Sequence, residues 1–260
     1  MRSSVENLGR LWSSLDQLCS TLSEDDWKRP TDCPGWTVQD HVSHLVDYES
    51  GALGRARPEH TVGPRDYLKN PMGEGNEVGV DYRRSWPGAE VLEEFREVTA
   101  ARLAQLEVLT DADFEQEVQT PVGPGTLSDM LTLRVMDTWT HEQDIRRAVG
   151  RPGHVDGPAA DEAVGYYLRF MPYVVGKKAG APDGAIVVFE IPDHVTAVEV
   201  VDGRGRAAEL VPDSPTAVLR MDVATFGALA SGRAQSPDGV ELEGDTELGE
   251  RVALAMNVMV

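Results

Sequence analysis

Basic residues are scarce in this chain of 260 residues: 24 Lys and Arg stand against 44 Asp and Glu, a formal net charge of -20. Nucleic-acid binding relies on clustered Lys and Arg to displace counterions, so that class of partner is excluded. The same deficit excludes docking on an anionic membrane surface. Long apolar runs are missing too, and none approaches the roughly 20 residues that cross a bilayer. The opening Met1-Arg2-Ser3-Ser4-Val5-Glu6 has no apolar stretch of the signal-peptide kind. The expectation is a soluble, cytoplasmic protein. Cysteine is almost absent, with Cys19 and Cys33 alone, and a structural disulfide is not expected in that compartment. Cys19 falls on the apolar spacing of a first helix. Cys33 precedes Pro34-Gly35 in a loop, and nothing in the sequence around it marks an activating base or cation.

Helical periodicity dominates the first half. Val5, Leu8, Leu11, Trp12, Leu15, Leu18, Cys19 and Leu22 recur at helical spacing. Ser23-Glu24-Asp25-Asp26-Trp27 reads as a short helix start, with a solvated acidic run, that Pro30 soon stops. Longer helices are predicted from Thr37 to Leu53, from Ala89 to Leu109, and from Thr126 to the Gly-then-Pro stop at Val149-Gly150-Arg151-Pro152. Residues 54–88, rich in Gly, Pro and charge, read as a long loop with one short helix at most. Pro121-Val122-Gly123-Pro124-Gly125 reads as a turn. After Pro158 the pattern changes: a helix over residues 159–174 precedes strands at 185–191 and 197–201. Weaker strands follow at 207–211 and 217–221, then a helix at 223–230, a strand at 240–244 and a closing helix at 247–256. The fold class is therefore α+β in two domains, a four-helix bundle over residues 1–155 and a small α+β domain over residues 160–260.

Chemistry-bearing residues concentrate on two of the helices. On the Thr126 helix, positions 127, 130, 131, 138 and 145 form an apolar or neutral stripe. His141 points into it and Asp137 sits at its margin, one turn away. Side chains at i and i+4 lie above one another, so this pair can share one cation. An unpaired buried Asp is costly, and something must compensate it. On the Thr37 helix, Thr37 and Asp40 read as an N-cap pair, Val38, Val42, Leu45 and Val46 mark the buried face, and His41 and His44 share one flank. Two helices can thus deliver a His, an Asp and a His to one point inside a bundle, which is how bundles build metal sites. The pair His141-Glu142 is not the start of an HExxH protease motif, because Ile145 stands where the second His belongs. Glu142 and Asp144 read as solvent-facing or paired with Arg146 and Arg147. Arg134, one turn before Asp137, is a candidate to hold a substrate carboxylate, against the alternative that it pairs with an interior acid. Trp36 and Trp139 read as core residues framing the site.

Trp36-Thr37-Val38-Gln39-Asp40 running into His44-Leu45, with Asp137-x-x-x-His141 before Asp144, resembles the mycothiol-dependent maleylpyruvate isomerase family. Leu219-Arg220-Met221-Asp222, Phe226 to Arg233 and Gly244-Asp245 are similar to its second domain. The resemblance implies a DinB-like metal-binding bundle followed by a sterol-carrier-like α+β domain. It also implies a divalent metal, usually zinc, held by His44, Asp137 and His141. The isomerase itself carries Glu where this chain has the shorter Asp137, and His41 falls where the family varies.

Three protein ligands leave an open position, as in catalytic zinc sites. Such a site suits two chemistries. It can lower the pKa of bound water to about 7 for hydrolysis, or hold a coordinating thiol as its thiolate. The resemblance favours the second, with mycothiol as cosubstrate and a small electrophilic substrate, in an isomerase or transferase. A metal-dependent hydrolase and a non-catalytic metal or small-ligand binding protein are the alternatives.

Overall fold

The structure, a computed structural model, describes residues 2–259 and divides into two compact units, one through His154 and one from Val155 onward. The first unit is built on helices. In chain order these are α1 (Arg2–Cys19), α2 (Glu24–Trp27), α3 (Val38–Ala52), α4 (Pro71–Arg83), α5 (Gly88–Glu107), α6 (Asp111–Phe114) and α7 (Leu127–Ala148). A two-stranded antiparallel hairpin, β1 (Glu117–Thr120) and β2 (Gly123–Thr126), leads into α7. The long helices α1, α7, α3 and α5 pack in that cyclic order, each on its two neighbours. Leu8, Leu11, Leu15, Leu45, Phe95, Leu106, Leu131 and Trp139 fill the core between them.

Local sequence sets the two helices that matter most. At the head of α7, the Asp129 backbone N–H donates to Thr126 Oγ1 at 3.1 Å, and the Thr126 N–H donates back to Asp129 Oδ2 at 2.9 Å. At the head of α3, the Thr37 N–H donates to Asp40 Oδ2 at 2.8 Å. The Thr37 hydroxyl adds a second donor at 3.0 Å. These reciprocal bonds satisfy orphaned end groups and fix where each helix starts.

Two expectations about this unit are corrected. Helix α4 occupies 13 residues of the stretch expected to be mostly loop. Asn70 caps it by accepting from the Gly73 N–H, and Pro71 supplies a preset φ at its first turn. Its glycines hid it, yet Gly79 has a packing reason: a Cβ there would stand 2.1 Å from Asp47 Cγ on α3. Residues 121–125 are the turn and second strand of the β1–β2 hairpin rather than a turn alone.

The second unit opens with α8 (Pro158–Leu168), α9 (Met171–Tyr173) and a π-helical turn over Val174–Lys178. The helix expected over residues 159–174 is therefore broken after Leu168. The strands are β3 (Ile186–Ile191), β4 (His194–Val201), β5 (Arg204–Ala207), β6 (Ala217–Arg220) and β7 (Glu241–Gly244), with α10 (Val223–Ala230) and α11 (Thr246–Leu254) between and after them. The sheet order is β5-β4-β3-β6-β7. Only the β3–β6 pair is parallel, with Val188 opposite Val218. Asp202 and Gly203 both take positive φ, 53° and 68°, at the β4–β5 turn, the backbone that a two-residue hairpin loop requires. The weak strand expected at 207–211 lies earlier, at Arg204–Ala207. The whole is mixed α+β, helical first and sheet-containing second.

Candidate metal centre

Neighbouring helices α3 and α7 bury many polar and charged side chains besides their apolar ones. Gln39, Asp40, His41, Ser43, His44, Asp47 and Glu49 are buried on α3, and Arg134, Thr138, Thr140, His141, Glu142, Gln143 and Asp144 on α7. Charges this buried must be paired to be tolerated. Near the middle of the seam, His44 Nε2 lies 3.4 Å from Asp137 Oδ2, and His141 Nε2 lies 3.5 Å from Asp137 Oδ1. One ligand atom from each of the three residues falls within 4.8 Å of the others. The structure therefore brings together the three residues singled out in the sequence.

A second group, His41, His141 and Asp144, is equally close-set. Distance separates the two. A tetrahedral ion with arms of about 2.0–2.1 Å needs ligand atoms about 3.3–3.4 Å apart. The contacts of His44 and His141 with the two Asp137 oxygens, 3.4 and 3.5 Å, are close to that edge. His41 Nδ1 and His141 Nδ1 stand 2.8 Å apart, too close for shared coordination and right for a hydrogen bond. Asp144 Oδ2 approaches both of these nitrogens, at 3.7 Å from His141 and 3.8 Å from His41. His41 and Asp144 thus sit behind His141, on the side away from Asp137.

Burial pushes both candidate imidazoles toward the neutral form. At His44 burial prevails over Asp137 and the pKa is lowered. At His141 burial is outweighed by the charges and hydrogen bonds of Asp137 and Asp144, and the pKa is raised. Burial pushes the Asp137 carboxyl up, but the Arg134 charge and both histidines hold it well below the usual carboxylate range. Two imidazoles and an ionised carboxylate form the donor set that suits zinc.

Arg134 is buried at 3% exposure and its charge is already met. Its Nη1 donates to Asp137 Oδ2 at 2.5 Å and its Nε donates to Glu49 Oε1 at 3.1 Å. Its guanidinium also lies 3.6 Å from the centre of the Tyr48 ring. The pairing with an interior acid is what the structure shows for Arg134. Glu142 and Asp144 do pair with Arg146 and Arg147, but neither faces solvent, both being fully buried.

Trp36 roofs the cluster. Its ring centroid lies 5.3, 5.4 and 5.7 Å from those of His41, His44 and His141. Its indole N–H donates to the fully buried Glu77 of α4 at 3.0 Å, and the Tyr67 hydroxyl donates to the same carboxylate at 2.5 Å. Gly35 leaves room for this, since a Cβ there would meet the Tyr67 ring at 2.3 Å. Trp139, by contrast, is core and donates to the His154 carbonyl at 2.9 Å. Sequence reasoning missed Glu49 and Glu77. Glu49 is an acid on a helix that otherwise reads as amphipathic and Glu77 lies in a stretch read as mostly loop, and only the facing Arg134 and Trp36 reveal why each is buried.

A family model described as the mycothiol maleylpyruvate isomerase N-terminal domain matches residues 8–146. Two uncharacterized proteins of Mycobacterium tuberculosis, from strains CDC 1551 / Oshkosh and ATCC 25618 / H37Rv, are each 31% identical over 140 residues. The match covers 52% of this chain and 52% of theirs, so the chain spans about half the length of the curated relatives it matches. Crystal structures of the mycothiol-dependent maleylpyruvate isomerase and of a mutant of it share the fold at a TM-score of 0.58. Each covers 93% of this chain and 92% of its own, at 16% and 15% identity. Through the match that takes in both α3 and α7, this chain belongs to the mycothiol maleylpyruvate isomerase N-terminal domain family.

Proposed function

We propose that the chain is a divalent-metal enzyme that uses a small thiol, mycothiol, to isomerise or transfer onto a small electrophilic substrate. The observation that carries this reading is the convergence of His44, Asp137 and His141, one ligand atom of each within 4.8 Å of the others. Zinc is the metal proposed, and when bound it supplies a positive centre at which a coordinating thiol loses its proton. The chain's own residues do the rest. His44 and His141 present ring nitrogens, and Asp137 offers an ionised oxygen while Arg134 occupies its other one. Trp36 covers the imidazoles and keeps bulk water off their faces. The attacking sulfur comes from outside. Cys19 is buried, with burial pushing its thiol up to about 12, and Cys33 belongs to neither ligand group. Arg65 and Tyr67, from the segment before α4, join Gly35 and Thr37 around a cavity of about 370 Å³. We assign the polar portion of the thiol to that wall.

Cobalt-substituted protein is the direct test. Adding mycothiol is expected to raise a sulfur-to-metal charge-transfer band that His44→Ala abolishes. No band with any cellular thiol, together with thiol-independent hydrolysis, would replace this reading by the metal-bound-water one. Metal uptake with neither band nor turnover would make the protein a binding module.

A further inference from the structure

The group behind His141 has a direction. Thr31 Oγ1 donates to the Trp36 carbonyl at 3.1 Å and accepts the Cys33 N–H at 3.2 Å. A hydroxyl has one proton to give; with that proton on the Trp36 carbonyl, its remaining lone pair faces His41 Nε2 at 2.8 Å and takes a proton from that nitrogen. A His41 ring with its one proton at Nε2 has a bare Nδ1. That nitrogen accepts from His141 Nδ1 at 2.8 Å. In that arrangement the His141 proton stands at Nδ1, with Asp144 Oδ2 3.7 Å away on the same side. Nε2, turned toward Asp137, is left as the only nitrogen of His141 that can become a ligand.

We infer that Thr31 and His41 are positioning residues that fix the tautomer of His141, so that the turn before α3 sets the donor atom offered from α7. This rests on the metal reading above, but its first readout needs no metal. The chain is built rather than incidental: His41 is fully buried, and all three hydrogen-bond partners of the Thr31 hydroxyl come from the ten residues that follow it. An acceptor on the far nitrogen of a ligating histidine orients the ring and raises its basicity toward the ion.

Full-length protein with ¹⁵N-labelled histidine gives the test. Long-range ¹H–¹⁵N correlation is expected to show His141 Nδ1 protonated both without metal and after one equivalent of zinc. Competition with a chelator should then show zinc affinity lowered about 10–100-fold in Thr31→Val and His41→Leu, the usual range when a hydrogen bond to a ligating histidine is lost. Thr31→Ser keeps the hydroxyl and His41→Asn keeps an acceptor, and both should stay within a few-fold of wild type. An unprotonated Nδ1 on His141, or wild-type affinity in Thr31→Val, overturns the inference. If the wild type takes up no zinc, or His44→Ala keeps it, the metal reading fails instead, and the tautomer measured without metal still decides this one.

Discussion

Single residues along the α3–α7 seam carry unequal weight. Elemental analysis should find about one zinc per chain, lost in His44→Ala, Asp137→Ala and His141→Ala with helical content retained, as expected when one of three protein ligands is removed. His41→Ala should be milder, because its nitrogen bonds to His141 rather than lining the cluster. Arg134→Met should act through folding: it removes the arginine of Asp137 and leaves Glu49 with Arg102 alone, and breaking a buried pair this way costs about 3–5 kcal/mol. Urea unfolding of the metal-free variant checks it. Asp81 offers a pH test away from the cluster. Burial pushes its carboxyl up, but the hydrogen bonds from His60 and Arg65 and the Arg84 charge leave it below its ordinary value. A depressed carboxyl stabilises the fold above its unfolded pKa, and that contribution is lost as pH falls through the folded one. Asp81→Asn should therefore lower the thermal midpoint at neutral pH and reduce its fall across that acidic window.

Elements were legible where two local signals agreed. Helices α3 and α7 each carry a cap pair followed by apolar spacing, and both ends match the sequence expectation closely. The i, i+4 relation of Asp137 and His141 then put two of the three proposed ligands on one face before any fold was known. His44 could not be separated from His41 by periodicity, since both lie on one flank, and only the distances across the seam distinguish them. Helix α4 was illegible because Gly73, Gly75 and Gly79 weaken its propensity, and the reason for Gly79 lies on another helix. The same substitution should consequently have opposite signs at two helical glycines. Gly51→Ala, with nothing near its Cβ, should gain about 0.5–1 kcal/mol. Gly79→Ala should lose stability, since its methyl meets Asp47 before propensity can help. Chemical denaturation of the two variants side by side decides this.

For the molecule as a whole, we propose that the two compact units unfold as separate cooperative transitions, with the ion in the first. An ion that binds only the folded state stabilises it by about 2.7 kcal/mol at 100 times its dissociation constant. Calorimetry with and without zinc should therefore move the transition of the unit through His154 and leave that of the unit from Val155 in place. Equal shifts in both would contradict the division.

The position of Trp36 also has an optical consequence. Its indole is a natural fluorophore whose ring centre lies within 5.7 Å of those of three imidazoles. A paramagnetic ion with visible absorption, such as copper(II) or cobalt(II), accepts excitation energy efficiently at such short range, whereas zinc does not. Occupancy can then be followed by emission alone, as the difference in quenching between wild type and Trp36→Phe, with Trp12, Trp27, Trp86 and Trp139 as the unchanging background.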